Sequence, residues 1–396
     1  MLIATLLSLA LTGAVLPPPT ASDSWELTLV VEEGAPVPDS SGAPTIASIA
    51  RVLDFSVLNT GPYRALVVDQ AGQRVVLRGA VGGEQRSEAP LAGWVPLAVD
   101  LGLDGEDLTL VHAVGEPSAR AVLIDDLVLA QVGAELPGNG PTWVWESIDA
   151  ASVTDDGAAL VTGSLRPKRG GLARPTLALL SAATEPPTVL ARYEAALAPL
   201  TQTPAAPGLW MNDLGHAVWI GTFGAARALM VDEIARVRSG APGPWPGTTY
   251  ELAAGDAVAL NHQLEWAACT TFVGPGAKRR ALIQDGEPLL VQGAVVDFLS
   301  GSAAVRLSPT APLFLSDNST LMWTGLNGAA IGLFVDRTCV IETGVSKLGQ
   351  RTLLGLDTSA GAQEASYDGR LVLFLGELSG GSAGRALLAA RPAEPR

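Results

Sequence analysis

Histidine and cysteine are scarce in this sequence, which has three histidines and two cysteines among its 396 residues. No Cys or His pair has the spacing of zinc ligands, and the H-E-x-x-H and G-x-S-x-G motifs are both absent. His112, His216 and His262 fall at different positions of the repeating unit, so we do not expect them to meet in one site. The sequence therefore predicts no metal ligands, no cofactor and no catalytic residues.

Charged residues are also few, at 16% of the chain, and their balance gives a formal net charge of −15. An acidic surface repels nucleic-acid phosphates and anionic lipids. We therefore expect no nucleic-acid partner, and no membrane contact beyond the N-terminal segment. Hydrophobic residues make up 48% of the chain, which supplies a large core and excludes a disordered protein.

Long apolar runs are absent apart from residues 2–16, which carry no charge. This run is short for a membrane span and is typical of the apolar region of a secretory signal, although no Lys or Arg precedes it. A retained anchor or a buried strand are the alternatives. We predict a signal peptide or N-terminal apolar segment over residues 1–21, and one secreted or periplasmic domain over residues 22–396.

A short string of three residues, Arg-Ala-Leu or a variant of it, recurs along the rest of the chain at intervals of 51 to 56 residues. The middle residues of the seven copies are Ala65, Ala121, Thr176, Ala228, Ala281, Gly332 and Ala386. Each copy begins an apolar run that ends in a turn such as Asp285-Gly286 and is followed by another run, which predicts a hairpin. With 44 Gly and 28 Pro residues, the chain suits many short strands.

A unit of three or four antiparallel strands in about 53 residues has the size of a propeller blade, so we predict an all-β, seven-bladed β-propeller. The last unit has no room for its final strand before Arg396. Residues 25–31 supply that strand, because Gly34-Ala35-Pro36 follows them as Gly240-Ala241-Pro242 follows the strand of the fourth unit. We expect the N-terminal strand to complete the last blade and close the ring.

The turn that leads into one strand of the unit has a recognisable pattern. Asn212-Asp213-Leu214-Gly215-His216-Ala217-Val218-Trp219 resembles the motif N-x-x-G-x-x-A-F of a bacterial tandem-repeat family. Thr154–Leu160 is a looser match. The resemblance implies a propeller-like fold, and because that family has no established activity it implies no functional residues.

Acidic residues recur in the predicted turns, and they are Asp104, Asp125, Asp126, Asp155, Asp156, Asp317 and Asp368. Their oxygens are suited to calcium, but none lies in a D-x-D-x-D-G loop. We predict that they accept hydrogen bonds from backbone N–H groups instead. Cys269 and Cys339 belong to different units and different strands, so we predict two free thiols despite the expected export.

One aromatic residue stands apart from the repeating pattern. Trp245 lies in the rigid segment Pro242-Gly243-Pro244-Trp245-Pro246-Gly247, where it either covers a blade edge or stacks on a sugar or a proline. We therefore predict a monomeric, exported, non-catalytic binding or scaffold propeller whose partner is a protein or a glycan. The alternative is a hydrolase or lyase acting on a glycan with carboxylates at the central opening.

Overall fold

A computed structural model of the protein describes residues 24–102, 106–125, 127–136, 143–153, 158–181, 188–194, 209–212, 216–223, 226–232, 234–359, 361–366, 368–380 and 384–393. These residues form strands joined by turns and bends. Among them there is no helix long and apolar enough to cross a membrane. The segment that we predict to be a signal peptide or N-terminal apolar segment, residues 1–21, lies outside the described residues.

The first strand, β1, is Trp25–Glu32, and the remaining strands pair with it or with one another in seven sheets. Sheet 1 comprises β2 (Pro36–Pro38), β3 (Pro44–Val57), β4 (Pro62–Asp69), β5 (Arg74–Ala80) and β6 (Gln85–Ser87). Sheet 2 comprises β7 (Trp94–Leu101), β8 (Asp107–Ala113), β9 (Glu116–Ile124) and β10 (Leu127–Gln131). Sheet 3 comprises β11 (Glu135–Leu136), β12 (Trp143–Val153), β13 (Ala158–Pro167), β14 (Arg174–Ser181) and β15 (Thr188–Glu194).

Sheet 4 comprises β16 (Leu209–Met211), β17 (Ala217–Phe223), β18 (Ala226–Val231) and β19 (Ile234–Arg238). Sheet 5 comprises β20 (Thr249–Glu251), β21 (Val258–Leu260), β22 (Trp266–Gly274), β23 (Ala277–Gln284) and β24 (Glu287–Val291). Sheet 6 comprises β25 (Val295–Phe298), β26 (Gly301–Ala304), β27 (Arg306–Leu307), β28 (Phe314–Leu315), β29 (Leu321–Asn327), β30 (Ala330–Val335) and β31 (Thr338–Glu342). Sheet 7 comprises β32 (Lys347–Leu348), β33 (Arg351–Leu356), β34 (Gln363–Ala365), β35 (Val372–Leu378), β36 (Arg385–Pro392) and β1.

Each sheet is built on four positions, which we name the inner, second, third and outer strands. The inner strands of successive sheets contact one another where the sheets meet, for example β3 with β7 and β16 with β21. Because neighbouring strands are antiparallel, all the turns of a sheet fall at its two ends. One end, the turn face, carries the inner-to-second turns and the third-to-outer hairpins. The other end, the crossover face, carries the second-to-third hairpins and the connections to the next sheet.

The sheets pack face to face in succession, and a cluster of buried apolar side chains lies at each junction. Leu110 of sheet 2 and Ile148 of sheet 3 belong to one such cluster, and Leu290 of sheet 5 and Trp323 of sheet 6 belong to another. The succession returns to its start, because Leu373 and other residues of sheet 7 share a cluster with residues of sheet 1. The protein is therefore an all-β propeller of antiparallel blades.

The sheets are less uniform than the predicted unit of three or four antiparallel strands. They contain between four and seven strands, because short strands are added in the connections. The largest is sheet 6, where the hairpin β25–β26 precedes the inner strand and Asp297 pairs with Thr338 in parallel orientation. The inner strand is also interrupted in sheets 5, 6 and 7, where two short segments pair with the same second strand.

The first copy of the repeated string was assigned to the wrong strand. In the other sheets the residue after the outer strand donates its N–H to the first residue of the string, as Val132 does to Arg120 at 2.9 Å. In sheet 1 the carbonyl in that position belongs to Val76, which accepts from Glu88 at 2.9 Å. Arg64-Ala65-Leu66 lies instead on β4, the second strand. The equivalent string is Val76-Leu77-Arg78, so the first interval is shorter than the others.

In sheets 2, 4 and 5 the arginine of the string links the blade to the next one. It lies on the third strand, and its guanidinium donates to a main-chain carbonyl on the inner strand of the following sheet or just beyond it. The bonds are Arg120 Nη1 to Ile148 O at 3.1 Å, Arg227 Nη1 to Leu252 O at 3.2 Å, and Arg280 Nη1 to Leu307 O at 3.3 Å. Inner strands have one edge without a neighbouring strand, so these carbonyls need a donor from elsewhere.

The asparagine of the N-x-x-G pattern forms a second link, at the turn face. Asn212 and Asn261 are fully buried, and each side-chain Oδ1 accepts the N–H of the residue four positions later in its own turn, at 3.0 and 2.9 Å. The Nδ2 of Asn212 donates to Asn261 O at 2.9 Å, and the Nδ2 of Asn261 donates to Ser316 O at 3.1 Å. The motif therefore closes a turn and ties that turn to the equivalent turn of the next sheet.

The N-terminal strand completes the last sheet, as predicted. β1 pairs antiparallel with β36 from Trp25 opposite Pro392 to Glu32 opposite Ala386. Gly34 and Gly240 have nearly the same positive φ, 88° and 85°, and each donates its N–H to the inner strand of the next sheet at 2.7 and 2.8 Å. Glycine suits this position because a side chain at such a φ is strained.

Cys269 and Cys339 are free and buried, as the repeat register predicted. Burial raises the pKa of both thiols to about 12. We expect thiol titration of the native protein to find little reaction, because a buried thiol with a raised pKa forms almost no thiolate. After denaturation without reductant, two thiols per chain should react. If no thiol reacted until a reductant was added, the two cysteines would form a disulfide and the prediction of free thiols would be wrong.

The inter-sheet asparagine gives a direct test of the link at the turn face. Asn261→Ala removes the donor to Ser316 O and the acceptor for the N–H of Glu265, and both groups are then left without this partner. We expect the free energy of unfolding, measured in urea, to fall by about 2–4 kcal/mol. Asn318→Ala, at a half-exposed position of the next sheet's turn, is the matched control and should change it by less than about 0.5 kcal/mol. Equal losses in the two variants would show that Asn261 is not a link.

Candidate functional site

Trp245 lies in a small closed loop on the connection between sheets 4 and 5. Gly243 N–H donates to Thr248 O at 2.8 Å, while Thr248 donates its N–H and its hydroxyl to Trp245 O at 3.1 and 2.7 Å. A Cβ on Gly243 would come within 2.5 Å of the Thr248 hydroxyl, so this approach requires glycine. The half-buried indole meets the Phe272 ring edge-on, with centroids 5.0 Å apart. The loop therefore holds Trp245 in a fixed orientation.

The indole forms one end of a cleft of about 400 Å³ between sheets 5 and 6. The lining residues are Trp245, Pro288, Leu289, Leu290, Val291, Ala294, Val295, Val296, Asp297 and Arg337. Two of the lining side chains are charged: Arg337 donates to Leu289 O at 3.1 Å, and Asp297 accepts from the Ser302 hydroxyl at 2.5 Å. The cleft thus has a mixed surface, in which aliphatic residues alternate with polar atoms, a cation and an anion.

A second polar cluster lies on the inner strands of sheets 7, 1, 2 and 3, where they meet near the turn face. The Ser56 hydroxyl lies 2.9 Å from Glu364 Oε1 and 2.9 Å from Asp100 Oδ1. Asp100 Oδ2 also accepts from the Ser152 hydroxyl at 2.7 Å. Each of these residues lies two positions before the turn that ends its inner strand, which is why residues distant in sequence meet.

The cluster must hold a proton. A serine hydroxyl donates one hydrogen, so both contacts of Ser56 are hydrogen bonds only when a carboxyl group supplies a second hydrogen. Burial, reinforced by the negative charge of Asp100, raises the pKa of Glu364 well above its ordinary value. Burial likewise raises the pKa of Asp54, on the same inner strand as Ser56, to about 7. Glu364, whose pKa is raised, therefore holds this proton.

These carboxyl groups accept hydrogen bonds from backbone N–H groups at the unpaired edges of neighbouring inner strands. The N–H groups of Val57, Val99 and Val153 donate to Glu364, Asp54 and Asp100 at 3.1, 2.9 and 2.9 Å respectively. Asp100 accepts four hydrogen bonds in all, the others coming from Ser56, Ser152 and the N–H of Leu101. Its lone pairs are occupied, so the arrangement joins blades and leaves little capacity for acid–base chemistry on a ligand.

The described acidic turn residues cap the backbone, as predicted. Asp125 accepts the N–H of Asp107 at 3.0 Å, Asp317 that of His262 at 3.1 Å, and Asp368 that of Arg370 at 3.0 Å. The other predicted capping residues, Asp104, Asp126, Asp155 and Asp156, lie outside the described residues. In the described part of the chain, no three His, Cys, Asp or Glu side chains are grouped so as to hold a metal ion.

The three histidines lie on three different sheets. His216 Nδ1 is 2.9 Å from Asp232 Oδ2, and His262 Nδ1 is 2.7 Å from Asp317 Oδ2. His112 Nδ1 lies 2.9 Å from the carbonyl of Ala113 on β8. His216 and His112 therefore contact groups of their own sheets, whereas His262 joins the turn of sheet 5 to the equivalent turn of sheet 6. Sequence reasoning named Trp245 but missed Asp54, Asp100 and Glu364, whose shared signal was a carboxylate two or four residues before a turn.

No protein-family model matches the sequence, and no curated protein matches it. Solved structures with a similar fold include the β-propeller domain of the Trilobed protease from Pyrococcus furiosus, at 10% identity over 89% of this chain and 96% of that chain, with a TM-score of 0.45. A puromycin-hydrolyzing peptidase of Mycobacterium tuberculosis is 12% identical over 88% of this chain, which spans 53% of the peptidase, with a TM-score of 0.47. The BP39L lectin from Burkholderia pseudomallei is 14% identical over 87% of this chain and 97% of the lectin, with a TM-score of 0.40.

The inner-strand carboxyls predict a pH dependence of stability. Their pKa values are raised in the folded state, so the folded protein binds protons that the unfolded chain has released. This contribution is complete below about pH 4, near their ordinary pKa values, and is lost as pH rises through the folded values, which for Asp54 means about 7. We expect the free energy of unfolding to fall between about pH 5 and pH 8.

Glu364→Gln mimics the protonated side chain and keeps an acceptor for the N–H of Val57. We expect this variant to be more stable than the parent at pH 8 and to show a flatter pH profile in urea unfolding. Glu377→Gln, an exposed position on the adjacent second strand, is the control and should leave the profile unchanged. A Glu364→Gln profile that parallels the parent's would mean that Glu364 does not hold the proton.

Proposed function

We propose that this protein is an exported, non-catalytic β-propeller, with each of the seven sheets acting as one blade of a closed ring, that binds a peptide segment in the Trp245 cleft. The observation that carries this is the cleft itself. A fixed indole and a row of aliphatic residues line it, together with one cation, one anion and exposed polar atoms. Export rests on the apolar run at residues 2–16.

The lining favours a peptide over a glycan. A sugar needs several hydrogen-bonding groups around an aromatic face, because its hydroxyls must replace their bonds to water. Most of the lining side chains here are aliphatic, and the charged groups of Asp297 and Arg337 already have partners. A proline-containing or aliphatic segment fits, since aromatic-lined grooves bind preformed extended chains at small entropic cost.

A glycan hydrolase or lyase at the central opening is the weaker proposal. Its best support is the protonated Glu364 close to Asp100, since glycoside hydrolysis uses a pair of carboxyl groups. The Ser56 hydroxyl lies between the two carboxyls, and Asp100 already accepts four hydrogen bonds. A substrate would have to displace contacts that join four blades.

Binding to arrays of proline-containing and aliphatic peptides, followed by calorimetry on the best peptide, tests the proposal. Trp245→Ala should weaken binding by at least about tenfold, because aromatic side chains at the centre of an interface contribute most of the affinity. Val295→Glu, at a position 71% exposed, should also weaken binding without affecting folding, since it places a charge among the aliphatic lining residues.

Ile234→Ser is the matched control, at an exposed apolar position outside the cleft, and should bind as the parent does. A glycan array run in parallel gives the opposing outcome. Binding to a glycan that Trp245→Ala abolishes would replace the peptide with a sugar as the ligand of the cleft. Peptide binding that survives both Trp245→Ala and Val295→Glu would place the site elsewhere and overturn the proposal.

A further inference from the structure

The net charge of the protein is distributed unevenly between its two faces. On the turn face, the acidic residues in described turns and hairpins are Glu84, Glu106, Asp125, Asp232, Glu265, Asp285, Asp317, Asp336 and Asp368. The basic residues in the same turns and hairpins are Arg337 and Arg370. The excess of negative charge therefore belongs to the turn face, where aspartates close hairpins and cap strands.

The crossover face of sheets 3 to 6 has the opposite balance. The basic residues there are Arg166, Lys168, Arg169, Arg227, Arg238, Lys278, Arg279 and Arg306, and the acidic residues are Glu135, Glu146, Asp149, Glu251 and Asp297. Glu135 forms an ion pair with Lys168, and Glu251 forms one with Lys278. Arg166 and Arg169 are exposed on the hairpin of sheet 3 and add positive charge to this face.

Exposed aliphatic side chains occur on the same face. Leu172 is 89% exposed at the tip of the second-to-third hairpin of sheet 3, between Pro167 and Arg174. Val114 is 65% exposed at the equivalent hairpin of sheet 2. Ile46 is fully exposed near the start of β3, the inner strand of sheet 1. These side chains belong to separate sheets but all lie at the same end of the propeller.

We propose that the crossover face docks on the surface of an anionic lipid bilayer, with Leu172 and its neighbouring arginines on the sheet 3 hairpin as the main anchor. Basic residues beside exposed aliphatic tips are the combination that peripheral proteins use at a bilayer, where arginine meets lipid phosphate and leucine enters the headgroup region. A protein partner would instead need a continuous complementary patch.

The overall acidity of the chain does not prevent this docking. The two faces are separated by the length of a strand, and β22, with nine residues, spans about 30 Å. The screening length at physiological salt is about 8 Å, so the carboxylates of the turn face are screened from lipids at the other end. Net charge alone leads to the expectation of no membrane contact beyond the N-terminal segment, whereas the distribution of charge favours docking of the crossover face on anionic lipid.

Co-sedimentation with vesicles tests the inference. The protein is mixed with vesicles of equal parts phosphatidylcholine and phosphatidylglycerol, or of phosphatidylcholine alone, at low and high salt. We expect binding to the anionic vesicles that falls steeply with salt, and at least about tenfold weaker binding to the neutral vesicles. No binding to anionic vesicles, or equal binding to both kinds, would overturn the proposal.

Paired charge reversals locate the surface. Arg166→Glu with Arg169→Glu should lower the vesicle partition coefficient by at least about tenfold. Arg236→Glu with Arg391→Glu makes the same change in net charge at exposed positions toward the turn face, and should have little effect. An equal loss in the control pair would show that only net charge matters, and would contradict a specific face.

Leu172→Ser separates a lipid surface from an acidic protein or polymer. We expect this variant to bind anionic vesicles several-fold more weakly, with an unchanged salt dependence, because it removes only the apolar insertion. Binding equal to the parent's would show purely ionic attraction and would overturn lipid insertion. Trp245→Ala should still bind vesicles, so failure of the peptide proposal and failure of this one give different results.

Discussion

Hydrogen bonds between side chains and main chain at the junctions of sheets 1–2, 2–3, 4–5, 5–6 and 7–1 are the interactions on which the architecture depends. An inner strand has a partner on one edge only, so its other edge must be satisfied by something other than a strand. Arg120, Arg227 and Arg280 supply donors from the previous blade, and Asn212 and Asn261 do so at the turns. The apolar clusters give each junction its adhesion, and these polar contacts fix how one blade is placed against the next.

Carboxyl groups play the corresponding role as acceptors for the backbone N–H groups of inner strands. Between sheets 7, 1, 2 and 3, the N–H groups of the inner strands donate to carboxyl groups of the preceding sheet. Burial, together with the closeness of Asp54, Asp100 and Glu364 to one another, raises the pKa of Asp54 and of Glu364, so that protons are retained there. The junction at which the chain's two ends meet is thus joined twice, by β1 pairing with β36 and by Glu364 reaching sheet 1.

The separation of charge follows from these structural requirements. Aspartate suits the positive φ of the third-to-outer hairpins, where Asp285 and Asp336 also cap the second strand. Because the strands are antiparallel, those hairpins share the turn face with the capped inner turns. The arginines that join blades, Arg120, Arg227 and Arg280, lie on third strands, whose first residues are at the opposite end. The uneven distribution of charge between the two faces therefore follows in part from the hairpins that close the blades and the side chains that join them.

The sequence by itself determined the features that depend on local chemistry at a regular spacing: the all-β class, the paired hairpins, the capping role of Asp125, Asp317 and Asp368, and the closing strand that begins at Trp25. The assignment of Arg64-Ala65-Leu66 to the repeat was wrong, because a string of three residues occurs on a second strand as easily as on a third. Only the tertiary structure decided which residues meet. Glu364 of sheet 7 contacts Ser56 of the adjacent sheet 1, and Trp245 lines the same cleft as Leu289 and Arg337. Those contacts depend on how the twisted sheets pack against one another, which the spacing of the repeats does not specify.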